Sequence, residues 1–457
     1  MVNERSSLPN GALVKFLAKP LSRRSNKALF TATAHREIHG DRLHVRTKLP
    51  PSLQGFFFGH GSRQACNAQD VDLMRPQEFH QSATDGGGEE VHELMIGRFA
   101  SIVGRTLAPP TMDTSFAFLS KVVQHRTERI FLLNSCNGLF LFGLFGVVMD
   151  AYYTTQEVGY IVCNPATKQW VRVPGCPWID DDPSIITLTE HTSLLFDPAV
   201  SSHFHLVLFW DHLGAGNMTR TTIHSYSSET GLWSHNAAHS IEERQGSLEN
   251  WRFHEISEDS LLSGFPTAFV NGFVYLILER ELILKVDPQG KTQCIIPAPP
   301  MGHVGADNNY VLFVGQSQGI LHCIVEEGLV EYVPPRVPSC CHRRWKSCGL
   351  SVWVLQDSNT PKWDLKHKMS NMEVFGKKSC EGMVDYHVVT VHPDCNVIFF
   401  LQHSDALMVS YDMDYKEARA LQSFKNEYGP ITPYTPYLSD LFVGVAGAHK
   451  EAIEVVS

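Results

Sequence analysis

Apolar residues along most of this chain recur in short runs, many alternating with polar residues, and turn residues separate the runs. The runs span 130–133, 139–142, 160–163, 193–196, 205–209 and 222–226, then 267–270, 274–278, 282–286, 310–314 and 321–325, and finally 351–355, 388–391, 397–401 and 407–411. Successive side chains on a strand face opposite sides, so this period predicts β-strands. Helical periodicity longer than three turns is hard to find. Pro and Gly, 25 and 33 residues, punctuate the whole length, as strands joined by tight turns require.

A degenerate repeat lies over this pattern: an apolar strand, a turn at Asn, Asp or Glu-Thr-Gly, and often a return strand with Trp. The clearest copy runs Tyr160-Ile-Val-Cys-Asn164-Pro-Ala-Thr167-Lys-Gln-Trp170. Others start at His224 and reach Trp233, run from Leu284 to Gly290, run from Val352 through Asp357 to Trp363, and run from Met408 to Asp414. Each reads as a hairpin. The spacing of about 45–70 residues is that of a propeller blade with its loops. One four-stranded blade cannot bury both faces alone, whereas a ring of blades buries them against neighbours and hides most edges. The expected fold class is mainly β, a β-propeller of about six blades. A β-sandwich or two smaller β domains is the alternative.

Three regions are expected. Residues 1–58 mix basic and apolar residues with a helical flavour. Residues 59–109, with Asp85–Glu90 reading DGGGEE, form a polar, Gly-rich connector with room for one strand of the body. Residues 110–457 form the propeller. The most hydrophobic window, 130–153, is broken by Asn134, Ser135, Asn137 and three glycines, so it reads as two buried strands around an Asn-Gly turn rather than a membrane span.

Composition narrows the partners. Charged residues make up 19% and the formal net charge is -10, which argues against a general nucleic-acid or anionic-membrane binder. The 11 scattered cysteines, with no apolar leader at the N-terminus, point to free thiols in a reducing compartment, cytoplasm or nucleus.

Several segments resemble the plant F-box proteins that carry an F-box-associated, kelch-like propeller. Pro110-Thr-Met-Asp113-Thr-Ser115-Phe116-Ala-Phe118-Leu119 opens the match. Leu133-Asn-Ser135-Cys136-Asn137-Gly138-Leu139-Phe140-Leu141 is similar to the family's DSCNGLLL segment. Residues 160–174 resemble YVVCNPATKKWVRLP, and Tyr428-Gly-Pro430-Ile-Thr-Pro433-Tyr434-Thr-Pro436-Tyr437-Leu438 resembles the closing PYVPYLS. Together they cover about three quarters of the chain.

At the N-terminus, Leu8-Pro9-Asn-Gly-Ala12-Leu13-Val14-Lys-Phe16-Leu17 resembles an F-box opening, and Arg46–Phe57 resembles the linker that follows an F-box. The centre departs: Pro20-Leu21 inverts the family's Leu-Pro, and His35 stands where the signature Trp is expected. Losing a buried Trp removes about 3–5 kcal/mol of apolar contribution, so the F-box is degenerate. The resemblance implies a substrate-recognition adaptor of an SCF-type, cullin–RING ubiquitin ligase. It implies that Leu8, Pro9, Leu13, Val14, Phe16, Leu17 and Ile38 bind a Skp-type adaptor, while the propeller holds an unknown substrate protein. A free-standing interaction module with a non-functional F-box is the alternative, and a propeller enzyme is a further one. The chain is expected not to be an enzyme and to need no cofactor.

Other candidates have bland readings. Gly86–Gly88 lacks the Lys-Ser/Thr of a phosphate loop. Cys340, Cys341, His342 and Cys348 have poor chelate spacing for zinc and read as a basic loop. His203 and His205 read as one strand face, and Asp180–Asp182 as a solvated loop. Trp170, Trp233, Trp353 and Trp363 read as packing between blades rather than a ligand belt.

Overall fold

The computed structural model describes residues 53–59, 97–102, 116–119, 128–147, 155–178, 186–213, 219–236, 267–278, 282–299, 310–332, 343–357, 361–380, 385–424, 430–439 and 448–450. Two compact units divide the chain, Met1–Pro50 and Pro51–Ser457. The second is a six-bladed β-propeller.

Five blades are antiparallel meanders of consecutive strands. Blade 1 comprises β3 (Glu128–Cys136), β4 (Leu139–Val147), β5 (Thr155–Asn164) and β6 (Gln169–Pro174). Blade 2 comprises β7 (Ile186–Leu195), β8 (His205–Leu213), β9 (Thr219–Ser227) and β10 (Leu232–Asn236). Blade 3 comprises β11 (Thr267–Val270), β12 (Phe273–Ile277), β13 (Leu282–Val286) and β14 (Thr292–Pro297). Blade 4 holds β15 (Tyr310–Ser317), β16 (Ile320–Tyr332), β17 (Arg343–Asp357) and β18 (Lys362–Ser370). Blade 5 holds β19 (Tyr386–Val391), β20 (Val397–Gln402), β21 (Leu407–Asp412) and β22 (Glu417–Ser423).

Blade 6 joins the two ends of the propeller. Its inner strand is β23 (Ile431–Tyr434), followed outward by β1 (Gly55–Gly59) and β2 (Gly97–Ser101). Phe57 pairs with Thr432 on one side and Phe99 on the other. The expected start of the propeller at residue 110 therefore moves back to Leu53. Closing a ring needs a sheet that both termini share, and the FFF run that the resemblance assigned to an F-box linker supplies its middle strand. A short strand β24 (Ala448–Lys450) adds to the outer edge of blade 1.

Between blades 4 and 5 sits the short helix α1 (Asn371–Phe375). Ser370 caps it reciprocally with Glu373, and Gly376 ends it in the left-handed conformation.

The core follows blade contacts rather than one centre. Phe57, Phe116, Phe118, Phe140, Phe142 and Tyr434 form an aromatic cluster between blades 6 and 1. Val171, Val173, Leu194, Phe204, Leu206 and Tyr226 fill the seam between blades 1 and 2. The expected hairpin at 130–153 is β3 and β4, turning at Asn137 (φ 45°) and Gly138 (φ 92°). A Cβ at Gly138 would lie 2.6 Å from the Tyr437 Cβ and 2.7 Å from the Thr435 oxygen, so glycine is needed for space as well as for conformation.

Candidate functional site

In an up-and-down blade, the first-to-second and third-to-fourth connections share one end of the strands. On this rim the turns are tight and repeated. Asn137-Gly138, Asn271-Gly272 and Gln318-Gly319 close the first hairpin of blades 1, 3 and 4 with positive φ at both residues. The degenerate repeat of the sequence is the third-to-fourth hairpin. Its Asn or Asp carboxyl or amide oxygen caps the turn: Asn164 Oδ1 accepts from Ala166 N (3.0 Å), Asp287 from Gln289 N (3.0 Å) and Asp412 from Asp414 N (3.0 Å). A left-handed residue then returns the chain at Lys168, Gly231, Gly290 and Lys416.

Large apolar side chains stand on this rim. Val200 is 81% exposed, Leu232 69%, Tyr415 67% and Leu438 62%. Val200 and Leu232 lie in neighbouring turns of blade 2, which Ser228 N and Phe204 O join (3.0 Å). Leu438 follows Tyr437, whose ring packs edge-on against Phe196 at 5.3 Å, just before the Val200 turn.

The inner strands of all six blades surround a central cavity of about 450 Å³. Its wall mixes Asn134, Thr267, Gln316, Thr390 and Thr432 with Val, Leu and Phe side chains. His387 also lies on this wall. It is almost fully buried, its Nδ1 is 3.4 Å from His403 Nε2, and burial pulls it down to about 3, so it is neutral at physiological pH.

The family-like segments turn out to be staples between blades. Asn134 Nδ2 donates to Thr192 O (2.7 Å), and Asn137 Nδ2 donates to Phe196 O (2.7 Å). Ser135 Oγ donates to Pro433 O (2.6 Å) and meets Thr432 Oγ1 at 2.5 Å. Asn164 Nδ2 donates to Tyr437 O (2.8 Å), binding the terminal tail to blade 1.

Two of the tryptophans behave alike. Trp233 Nε1 donates to Pro174 O (2.9 Å) and Trp363 Nε1 to Pro297 O (3.0 Å). Each joins an outer strand to the end of the preceding blade's outer strand, as expected for packing between blades. Trp170 packs on the aromatic cluster of blades 6 and 1, and Trp353 on the apolar seam of blades 3 and 4.

Sequence reasoning missed the polar seam between blades 4 and 5. Tyr386 OH donates to Glu326 Oε1 (2.7 Å), and Asn371 Nδ2 donates to Ser347 O (2.7 Å), all four residues being buried. Burial pushes the Tyr386 hydroxyl well above its ordinary range. These residues lie on different strands and in α1, so no local spacing connects them.

The remaining candidates fare differently. Leu8, Pro9, Leu13, Val14, Phe16, Leu17 and Ile38 lie outside the described residues, as do Gly86–Gly88, Asp180–Asp182, Cys340, Cys341 and His342. His203 precedes β8, so it does not share a strand with His205. Among the described residues no three His, Cys, Asp or Glu side chains converge as metal ligands. Burial pushes the thiols of Cys136 and Cys395 up to about 12, and those of Cys163 and Cys323 up as well. Among the described residues no helix is long and apolar enough to cross a membrane.

Comparison with known proteins gives one family match. The family described as "F-box protein At3g26010-like, beta-propeller" matches residues 111–257, which span blades 1 and 2. No curated protein sequence matches. Among solved structures, the GH43B protein of a Bacteroides ovatus xyloglucan locus is 10% identical over 69% of this chain, with a TM-score of 0.29. This chain spans 56% of that protein's length. Apo AztD from Citrobacter koseri is 6% identical over 68% of this chain and 99% of its own, with a TM-score of 0.22. A GH74 xyloglucanase from Xanthomonas campestris is 9% identical over 65% of this chain and 49% of its own, with a TM-score of 0.19. Likenesses this loose carry no argument about activity.

Proposed function

We propose that this chain is a recognition module. The propeller binds a partner protein through its tight-turn rim, and the N-terminal segment tethers it to a Skp-type adaptor of a cullin–RING ubiquitin ligase. The observation that carries the first half is the exposed apolar set on rigid turns, Val200, Leu232 and Leu438 around blade 2. Turns fixed by capped Asx side chains and left-handed residues lose little entropy on binding. The second half is supported by the match to an F-box protein propeller over 111–257 and by the F-box-like opening Leu8–Leu17. The chain carries out no chemistry itself; its mechanism is proximity, holding a substrate near a charged ubiquitin and so raising the effective concentration.

Co-purification of the full-length protein with a Skp-type adaptor tests the tether. Leu13→Asp with Leu17→Asp abolishes adaptor capture and leaves substrate capture intact, while Val200→Asp with Leu232→Asp does the reverse. Failure of the wild-type chain to retain the adaptor sinks the ligase role. It leaves the second reading, a free-standing interaction propeller, which the loss of the signature Trp at His35 favours.

A further inference from the structure

Two lysines on β18 sit in opposite electrostatic settings. Lys368 Nζ meets Glu327 Oε1 at 2.6 Å, an ordinary exposed ion pair. Lys366, two residues earlier, is half-buried, and among the described residues its Nζ has no carboxylate within ion-pair distance. The ladder explains why. Val352 pairs with His367 and Trp353 with Leu365, so Lys366 is the extra residue of a β-bulge. A bulge re-aims the side chain it extrudes. Here Nζ comes to lie 2.9 Å from Nε2 of His322 on β16.

His322 has a fixed tautomer. Its Nδ1 lies 3.1 Å from the Ile320 carbonyl oxygen, which can only accept, so Nδ1 carries the proton and Nε2 presents a lone pair to Lys366. The ring is almost fully buried. Burial pulls its pKa down to about 4, so it is neutral at pH 7. The lysine therefore leans on an uncharged acceptor where its neighbour has an anion.

We propose that Lys366 is a reactive lysine, a site of acylation by small activated acyl donors of the thioester class. Its neutral Nζ attacks the thioester carbonyl carbon. The C–N bond forms, the C–S bond breaks, and the thiolate leaves. The proton lost from nitrogen passes to solvent, since a neutral buried imidazole is too weak a base to keep it. The remaining N–H still donates to His322 Nε2 in the amide product, so the site holds its product as it held the amine. Burial also pulls the Lys366 ammonium below the ordinary lysine range, with Asp414 from the neighbouring blade pulling the other way.

The test uses full-length protein and the acetyl thioester of N-acetylcysteamine from pH 6.5 to 9.5, with acetylation read at each lysine by peptide mass spectrometry. At pH 7.5 Lys366 acetylates several-fold faster than Lys368, and the advantage shrinks toward pH 9.5. Lys366→Arg removes that product and leaves the other sites unchanged. His322→Leu removes the neutral acceptor, which holds the ammonium more strongly than the amine, so the ratio of Lys366 to Lys368 labelling rises several-fold, with an unchanged far-ultraviolet circular dichroism spectrum showing that the variant is folded. Labelling of Lys366 that is equal to or slower than that of Lys368 in the wild-type protein overturns the proposal. An unchanged ratio in the His322 variant overturns the part assigned to that histidine.

Discussion

The seams around blade 1 and the seam between blades 4 and 5 are both buried and both hydrogen-bonded, yet they are built from different chemistry. Around blade 1 the groups are amides and hydroxyls: Asn134, Ser135, Asn137 and Asn164 reach backbone carbonyls of blade 2, blade 6 and the terminal tail. None of these side chains titrates in the physiological range. Between blades 4 and 5, Tyr386 meets Glu326 and His367 meets Tyr411, while His322 and Lys366 meet inside blade 4. The ring is thus held shut near its closing blade by bonds indifferent to pH, whereas blades 4 and 5 on the far side carry buried histidines, His322 and His387, whose state depends on it.

The largest expected effect breaks the closure itself. Phe57 is fully buried between Phe116 and Phe140, with ring centroids 4.9 and 5.3 Å away. Phe57→Ala should destabilise the propeller by about 3–5 kcal/mol in urea unfolding. A truncation that starts after Gly59 deletes β1 and should not close at all, whereas one starting at Pro51 should fold. Equal stability of the two truncations would show that blade 6 does not depend on its middle strand.

The next effect tests the titratable side. His322 and His387 are pulled by burial to about 4 and about 3, below the 6.5 of an exposed histidine. The unfolded chain therefore binds protons that the folded one refuses. Their contribution is fully present above pH 6.5 and is lost as pH falls toward 4, at most about 3 kcal/mol for His322. Thermal unfolding from pH 7.5 to 4.5 should show this slope, and His322→Leu should flatten it. A wild-type melting temperature that is level over this range would refute the contrast between the two sides of the ring.

Single staples come third. Asn134→Ala removes one side of a half-buried hydrogen bond and Tyr386→Phe one side of a buried one, and each should cost about 1–3 kcal/mol. The comparison sharpens in their pH dependence: the Asn134 penalty should stay constant from pH 5 to 8. Smallest of all, Val200→Ser with Leu232→Ser should move stability by no more than about 0.5 kcal/mol per site. The same pair should weaken partner capture, since these side chains face water in the free protein.

Much of the fold was legible because inner and middle strands carry strong patterns. The runs at 139–142, 205–209 and 397–401 lie in β4, β8 and β20, the second strands of their blades, and these are buried on both faces. Outer strands were faint. β22, EARALQS, is almost wholly exposed and has no apolar alternation to read. β1 was misplaced for a different reason. GFFFG is a fully buried strand, but its partner Ile431–Tyr434 lies at the other end of the chain.

What the sequence determined by itself was local: strand period, Asn-Gly and Asx turns, and the segments shared with F-box propellers. These depend on side-chain direction and backbone preference within a few residues. The tertiary structure alone decided how the ring closes, why the shared segments matter and where the titratable seam lies. Ser135 and Pro433, and Glu326 and Tyr386, meet only because blades pack side by side, and Lys366 and His322 meet because β16 and β18 flank β17 in one blade. The family resemblance first seen in the residues is, in physical terms, largely a set of staples around blade 1.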